Sequence, residues 1–179
     1  EENPKEAKAV LTKAIEAQGL KPFQADLDRI AAFKSHDDVA AFIGEPGAAA
    51  NSPIALFFGL DDKNPDRYSV DVFQAGLGMP DRDYYLKDDE KSADLRTKYV
   101  ALLTSLLGKA GYADPAKAAA DVMALETEIA KADWDRTLSR NPEITYNKLT
   151  KHELVALGGD FPTAVALDVL GVGKETNFL

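Results

Sequence analysis

The sequence has no cysteine among its 179 residues and holds only two histidines. The absence of cysteine excludes disulfides, thiolate zinc sites, iron–sulfur clusters and cysteine nucleophiles, but it leaves the redox compartment open. Any histidine-dependent catalytic triad or zinc site would have to use His36 or His152. No apolar run approaches the roughly 20 residues that cross a bilayer. We therefore expect no membrane span.

Positive charge is scarce as well, because 21 Lys and Arg stand against 30 Asp and Glu, giving a net charge of −9. Nucleic-acid binding depends on clustered basic side chains that release counterions, so we expect no nucleic-acid partner. A hydrophobic fraction of 45% in a chain of this length is enough for a true core. We expect residues 1–179 to form a single helical domain or a fragment of a larger protein, since neither the start at Glu1 nor the apolar end at Phe178-Leu179 resembles a natural terminus.

Apolar periodicity predicts a mainly α fold with about seven helices and one antiparallel β-hairpin. The hairpin covers about 54–74, because apolar residues alternate on both sides of the turn-forming stretch 61–66. The most regular helical pattern is the leucine stripe that begins at Leu95 and ends near Gly108.

Several helix starts are marked by capping residues, and one helix end is also predicted. Helix-start signals occur at Asn3-Pro4, Ser35 with Asp38, Asp114-Pro115, Thr150 with Glu153, and Asp160. The helix that follows Asp114 is expected to reach Trp134 or beyond.

The most promising metal motif is incomplete. His152-Glu153 begins an H-E-x-x-H pattern, in which two histidines on one helix face bind zinc, but Ala156 stands at the second histidine position. We therefore interpret Glu153 as the capping partner of Thr150.

Two other candidate ligand sites also fail on spacing. Asp61, Asp62 and Asp66 lack the spacing of a calcium loop, so we interpret them as a solvated hairpin turn. The stretch 171–174 lacks the upstream glycine and the Ser or Thr of a phosphate loop.

The acidic stretch 81–90 has two parts. Asp88 to Glu90 precede the leucine-stripe helix, where negative charge is favoured by the helix dipole. Asp81-Arg82-Asp83 stands beside Tyr84-Tyr85, and this composition suits either a loop held by charge-assisted hydrogen bonds or a functional contact.

The segment Gly76-Leu77-Gly78-Met79-Pro80-Asp81-Arg82-Asp83-Tyr84-Tyr85 resembles the GLGLPDRDYY signature of neprilysin-like zinc metallopeptidases, the M13 family, with Met79 in place of leucine. Similar motifs follow in the family's order at Leu125, Glu126, Ile129, Ala130, Trp134, Arg136, Arg140, Asn141, Pro142, Thr145, Tyr146, Asn147, Thr150, Glu153 and Leu154. The similarity extends upstream to Gly19 and is least clear in the first 18 residues.

The resemblance implies a segment of the helical N-terminal domain that caps the catalytic domain and encloses a chamber for peptides. The family's H-E-x-x-H, E-x-x-x-D and substrate-strand motifs lie in the C-terminal half and are absent from this sequence. We therefore expect no catalytic, metal or cofactor residue here. The implied partners are the zinc-binding C-terminal catalytic domain of the same protein and its peptide substrates.

The family-motif residues are expected to be structural: Gly76, Gly78, Pro80, Asp81, Arg82, Asp83, Tyr84, Tyr85, Glu126, Arg136, Asn141, Pro142, Tyr146 and Asn147. The alternative is a stand-alone helical interaction module without peptidase activity. A detached capping segment should expose a large apolar patch, and the hairpin offers Phe57 and Phe73 either to the chamber or to the other domain. The resemblance also implies the bacterial periplasm or an extracellular location, although the family has cytoplasmic members.

Overall fold

The computed structural model describes residues 4–48, 52–172 and 177–179. Within these ranges the chain forms nine α-helices and one two-stranded antiparallel sheet, which confirms the mainly α fold with a single hairpin. The elements are α1 Pro4–Gln18, α2 Gln24–Ala31, α3 His36–Gly44, β1 Ile54–Asp61, β2 Asn64–Gln74, α4 Asp83–Leu86, α5 Glu90–Lys109, α6 Pro115–Ala132, α7 Pro142–Thr145, α8 Lys151–Leu157 and α9 Thr163–Leu170, with 3-10 turns at Lys21–Phe23 and Leu138–Arg140. None of the described helices is both long enough and apolar enough to cross a membrane.

The helix starts follow the predicted capping residues in three cases. Ser35 with Asp38 and Thr150 with Glu153 form complete capping boxes at α3 and α8. Asp114 caps α6 in front of a proline. Helix α1 begins at Pro4 as predicted, whereas the expected cap Asn3 lies outside the described residues.

Three helix predictions differ from the structure. Helices α4 and α7 were not predicted, because a single turn is too short to show an apolar period. Helix α6 ends at Ala132 and not beyond Trp134, since Asp133 has extended backbone angles. The expected cap of α9 at Asp160 is wrong, because Pro162 directly precedes that helix and provides no side-chain cap.

The hairpin covers the predicted range of 54–74, but its turn is tighter than the predicted stretch 61–66. Its register pairs Ile54 with Gln74 and Leu60 with Tyr68, and an irregularity follows Leu60. The turn consists of 62–63 alone, because the Asp61 carboxylate accepts hydrogen bonds from the next backbone amides, Lys63 and Asn64. The prediction of a solvated turn is wrong for Asp61, of which only 1% is exposed.

One hydrophobic cluster, the hairpin core, lies where the sheet meets α8, α9 and the last described residues. Its buried members are Val70, Leu154, Leu167, Val172 and Phe178. Phe178 is fully buried, and its neighbours pair with β2 because Val70 N donates to Asn177 O at 3.1 Å and Leu179 N donates to Val70 O at 2.9 Å. The apolar end of the chain is therefore packed against β2.

A second cluster, the loop core, joins α4, α5 and α6. Its buried members are Met79, Tyr85 and Ala130, with Tyr99 and Met123 packed against them. The loop that follows β2 is therefore packed against α5 and α6. This loop contains the segment that resembles the M13 signature.

Candidate functional site

The signature loop, residues 76–86, leaves β2, passes over α6 and ends in the single turn α4. Its most buried large side chain is Tyr85, with 5% exposed. The Tyr85 hydroxyl accepts a hydrogen bond from Met79 N at 2.8 Å and donates one to Glu126 Oε2 at 2.6 Å. The phenol therefore ties the loop to itself and to α6.

Glu126 joins three elements through its two carboxylate oxygens. Oε2 accepts from Tyr85, while Oε1 accepts from the Tyr99 hydroxyl on α5 at 3.0 Å. The two rings meet edge to face, with centroids 6.5 Å apart. Burial and the hydrogen bond to Glu126 raise the pKa of Tyr99 to about 12 and raise the pKa of Tyr85 as well. Both phenols thus stay protonated and act as donors.

Asp81 is fixed by both of its oxygens. Oδ1 accepts from the backbone N–H of Asp83 at 2.8 Å, and Oδ2 accepts from Arg136 Nε. The Asp83 amide and the Arg136 guanidinium lower the pKa of Asp81. This carboxylate is consequently an ionised structural acceptor, with both oxygens engaged in hydrogen bonds.

Two arginines bind the backbone around the loop. Arg82 Nε donates to Ala130 O on α6 at 3.0 Å. Arg96 on α5 donates to the carbonyls of Tyr84 at 3.0 Å and Lys87 at 2.9 Å, at the end of α4. Arg96 thus satisfies carbonyls that the one-turn helix α4 leaves without partners, and Arg82 satisfies one of the last four carbonyls of α6.

The two glycines of the signature are required by close approach. A Cβ atom on Gly78 would lie 1.9 Å from the Tyr99 hydroxyl oxygen and 3.2 Å from Glu126 Oε1. Gly76 has a φ of +88°, and a Cβ there would lie 2.8 Å from Ser52 O. Side chains at these positions would displace the loop from the contacts described above.

A shallow cleft of about 310 Å³ lies between the signature loop and the segment after α6. Its floor is crossed by Gln74, whose side-chain amide donates to Trp134 O and accepts from Trp134 N, both at 2.9 Å. This pairing holds Trp134 outside α6. Burial raises the pKa of Asp133 at the cleft wall, whereas the charge of Arg82 opposes that rise.

The remaining motif residues lie on α7 and in the segment that follows it. Asn141 caps α7 through its side chain, Pro142 is the first residue of that helix, and Asn147 Nδ2 donates to Ile144 O at 2.7 Å. The Tyr146 hydroxyl donates to Asp61 Oδ1 at 2.9 Å. Asn141, Pro142 and Asn147 therefore make local contacts at α7, whereas Tyr146 belongs to a second site at Asp61.

Asp61 forms the centre of this second site. Its Oδ2 also accepts from Lys148 Nζ at 3.0 Å, and Lys63 lies over the ring of Tyr146 with Nζ 4.2 Å from the centroid. The Lys148 ammonium, followed by the Tyr146 hydroxyl and the Lys63 amide, lowers the pKa of Asp61 to about 2.

We expect the Asp61→Asn variant to be less stable than the wild type near neutral pH, by a margin that shrinks in acid. The folded-state pKa lies below the ordinary value of 3.8, so the ionised carboxylate stabilises the fold above about pH 3.8, and this contribution is lost as the pH falls to about 2. Urea unfolding of both proteins across this range measures the margin. The exposed neighbour gives the control Asp62→Asn, which should follow the wild-type profile; a margin for Asp61→Asn that does not change with pH would contradict the assignment.

The described residues contain no group of three or more His, Cys, Asp or Glu side chains that could hold a metal ion. His36 and His152 lie at the surface on separate helices. The interpretation of Glu153 as the capping partner of Thr150 is confirmed, because Glu153 Oε2 accepts from Thr150 N at 2.8 Å. The phosphate-loop candidate extends to 173–174, outside the described residues.

Comparison with known proteins decides the family. The model of the N-terminal part of peptidase family M13 matches residues 7–177. This chain belongs to peptidase family M13. The match spans the hairpin, the signature loop and the helices on both sides of them.

Curated M13 relatives are much longer than this segment. Endothelin-converting enzyme 1 of Cavia porcellus is 31% identical over 105 residues, which make up 58% of this chain and 14% of that protein. Endothelin-converting enzyme-like 1 of Mus musculus is 31% identical over 109 residues, which make up 59% of this chain and 14% of that protein.

Solved M13 structures show the same fold. The zinc metalloprotease Zmp1 of Mycobacterium tuberculosis, in complex with an inhibitor, matches with a TM-score of 0.80 and 29% identity over 89% of this chain and 24% of its own. The open state of that protein matches with a TM-score of 0.79 and 28% identity over 93% of this chain and 26% of its own. This chain thus corresponds to an N-terminal segment of an M13 zinc metallopeptidase.

Several residues that hold the M13 segment together were not among the predicted site residues: Gln74, Arg96, Tyr99, Lys148 and Asp61 as an anchor. Tyr99 lies within the leucine stripe of α5. A tyrosine in such a stripe can indicate a buried hydrogen bond, because a half-buried phenol hydroxyl needs an acceptor. Gln74, Lys148 and Asp61 make contacts with residues 60 or more positions away, which local sequence does not indicate. Arg96 binds backbone carbonyls 9 and 12 positions before it, and a carbonyl has no sequence signal of its own.

Proposed function

We propose that this chain is the non-catalytic N-terminal segment of a zinc-dependent M13 endopeptidase that hydrolyses oligopeptides. In this proposal the segment forms part of the lid over the catalytic domain and so limits the size of the substrates. The observation that carries the proposal is the shared fold with Zmp1, of which this segment makes up about a quarter. By the same relationship we propose that the enzyme works in the bacterial periplasm or outside the cell.

A lid is needed because of the chemistry of an open zinc site. A zinc ion with a free coordination position and a general base can hydrolyse any peptide that reaches it. Selection by size therefore has to come from walls that do not yield to a large substrate. Closure of the walls also removes bulk water from the reaction. The signature loop suits this role, because Tyr85 and Arg82 attach it to α6 and Arg96 attaches it to α5.

The extent of uncovered surface favours an enzyme segment over a stand-alone module. The chain exposes 12614 Å² to solvent, whereas a compact monomer of 19.3 kDa exposes about 8500 Å². Large apolar side chains contribute to this excess on α1, α5 and the hairpin. On α1 and the hairpin the most exposed are Val10, Leu11, Ile15, Phe57, Phe58 and Tyr68. A stand-alone module would be expected to cover such groups.

The experiment that tests the proposal compares this chain with the full-length peptidase on peptides of increasing length and on a folded protein. We expect the full-length enzyme to cleave the peptides, to spare the folded protein and to stop when a chelator is added. The isolated chain should be inactive. Chelator-sensitive cleavage by the isolated chain, or absence of metal-dependent activity in the full-length protein, would refute the assignment.

The lid role is tested within the full-length enzyme. The Glu126→Ala variant loosens the signature loop, and we expect kcat/KM to rise for the longest peptides relative to a short one. The control Glu128→Ala changes an exposed carboxylate on the same helix and should leave this ratio at the wild-type value. An unchanged ratio in Glu126→Ala would show that the loop does not restrict access.

A further inference from the structure

We propose that the outer edge of β1 is where the remainder of the peptidase chain packs, by adding a strand to the hairpin. This inference rests on the proposed function, since it requires the segment to be part of a longer enzyme. It assigns the exposed hairpin to the contact between domains and not to the substrate chamber.

The hydrogen-bond register identifies which backbone groups point outward from β1. In an antiparallel sheet, residue pairs that are hydrogen-bonded to each other alternate with pairs that are not. Because Ala75 N donates to Pro53 O, the residues of β1 that are hydrogen-bonded to β2 are Ala55, Phe57 and Gly59. The N–H and C=O groups of the residues between them face away from β2. These residues are Leu56, Phe58 and Leu60, and within the described part of the chain no backbone group pairs with their outer side.

The other edge of the same sheet is already occupied. On β2 the outward positions Val70 and Val72 are bonded to Asn177 and Leu179, which lie alongside the strand. The sheet is therefore extended on one side and open on the other. The open side is the one with the more apolar strand.

The open edge has none of the features that protect edge strands in water. From Ile54 to Leu60 it contains no charged residue and no proline, and its irregularity comes only after Leu60. Phe57 is 61% exposed on one face, while Phe58 and Leu60 are 56% and 53% exposed on the other. A long, uncharged, apolar edge of this kind promotes aggregation unless it is covered.

The cover has to be permanent, which argues against a substrate. A peptidase chamber is empty between turnovers, so a peptide would leave the edge bare for part of every catalytic cycle. A strand from the same polypeptide would protect the edge at all times. The chain as a whole exposes about 4000 Å² more than a compact monomer of its mass, which is several times the roughly 800 Å² that each partner buries in a standard interface and is enough for a permanent contact at this edge and elsewhere.

Charge argues against a second copy of the chain. Each copy has a net charge of −9, so bringing two copies together is opposed by their mutual repulsion. About three quarters of the solved Zmp1 chain lies outside the part that this segment matches, so the parent enzyme has ample chain to supply the strand.

The test is amide hydrogen exchange at single-residue resolution in this chain and in the full-length enzyme. The amides of Ala55, Phe57 and Gly59 donate to β2 and should exchange slowly in both proteins, which makes them an internal control. The amides of Leu56, Phe58 and Leu60 should exchange rapidly in the isolated chain. In the full-length enzyme we expect them to exchange at least ~100-fold more slowly.

Three outcomes would overturn the inference. The outward amides could exchange equally fast in both proteins. They could become protected in the full-length enzyme only when a peptide is added to the zinc-free form, which would indicate a substrate. They could become protected in the isolated chain as its concentration rises, which would indicate a second copy. Activity is measured separately: protected amides in an inactive full-length protein would refute the proposed function alone, whereas rapid exchange in an active one would refute this inference alone.

Discussion

Replacing Glu126 by alanine is expected to lower the free energy of unfolding by about 3 kcal/mol, because two phenols lose their shared acceptor. Tyr85 donates to this carboxylate at 2.6 Å from a side chain that is almost fully buried, and Tyr99 donates at 3.0 Å. A buried donor without a partner costs roughly 1–3 kcal/mol, and water cannot readily reach Tyr85. Urea unfolding followed by circular dichroism gives the difference.

A matched control lies on the same helix. Glu128 has an exposed side chain that pairs with Lys131 one turn away, and such pairs contribute about 0.5 kcal/mol or less. Glu128→Ala should therefore be almost neutral. Equal losses in the two variants would show that Glu126 contributes only helix propensity.

Titration of the tyrosines is a second measurement on the Glu126→Ala variant. The pKa of Tyr99 is raised to about 12, first by burial and then by the hydrogen bond to Glu126. In the variant Tyr99 remains buried but has no hydrogen bond to residue 126. We expect the ultraviolet signal of phenolate to appear at lower pH than in the wild type, and an unchanged titration would contradict the role of this carboxylate.

The parts of the fold that sequence could predict depend on residues close together in the chain. The two capping boxes join residues three positions apart, and the hairpin follows from alternation within 54–74. Local patterns of this kind are set by backbone geometry, so they survive whatever packs against them. The family signature was likewise visible as one short segment.

The parts that sequence could not predict are contacts between distant residues. Tyr85 and Glu126 are 41 positions apart, and Tyr146 and Asp61 are 85 positions apart. An aspartate in a hairpin turn is ordinarily solvated, and nothing next to Asp61 indicates that Lys148 will neutralise it. Its burial is a consequence of the tertiary fold, which the turn sequence does not contain.

Apolar periodicity identifies the apolar face of a helix, but it does not predict which part of the protein covers that face. Helix α1 has the predicted apolar residues on one side, yet Val10, Leu11 and Ile15 are between 62% and 68% exposed. Leu102 and Leu106 in the stripe of α5 are likewise about half exposed. The described residues leave these faces open, as expected for a segment that normally packs against more protein.

Replacing Gly44 by alanine is expected to destabilise the chain by about 2–3 kcal/mol, because it overpacks the contact between α3 and α9. A Cβ on Gly44 would lie 2.4 Å from Ala166 O and 2.9 Å from Ala166 Cα. These are backbone atoms of α9, so no side-chain rotation can relieve the overlap and the two helices must move apart. Thermal unfolding of the variant measures the loss.

Gly108→Ala is a control for which we expect a gain in stability, not a loss. Gly108 lies near the end of α5, and a Cβ there would meet only Pro115 side-chain atoms at 3.8 Å, an ordinary contact distance. Alanine is favoured over glycine within a helix by roughly 0.5–1 kcal/mol, so Gly108→Ala should stabilise the chain. Because the two substitutions add the same methyl group, the difference between their effects on stability reports the packing of α3 on α9. Stabilisation by both would mean that the helices are farther apart in solution than this contact requires.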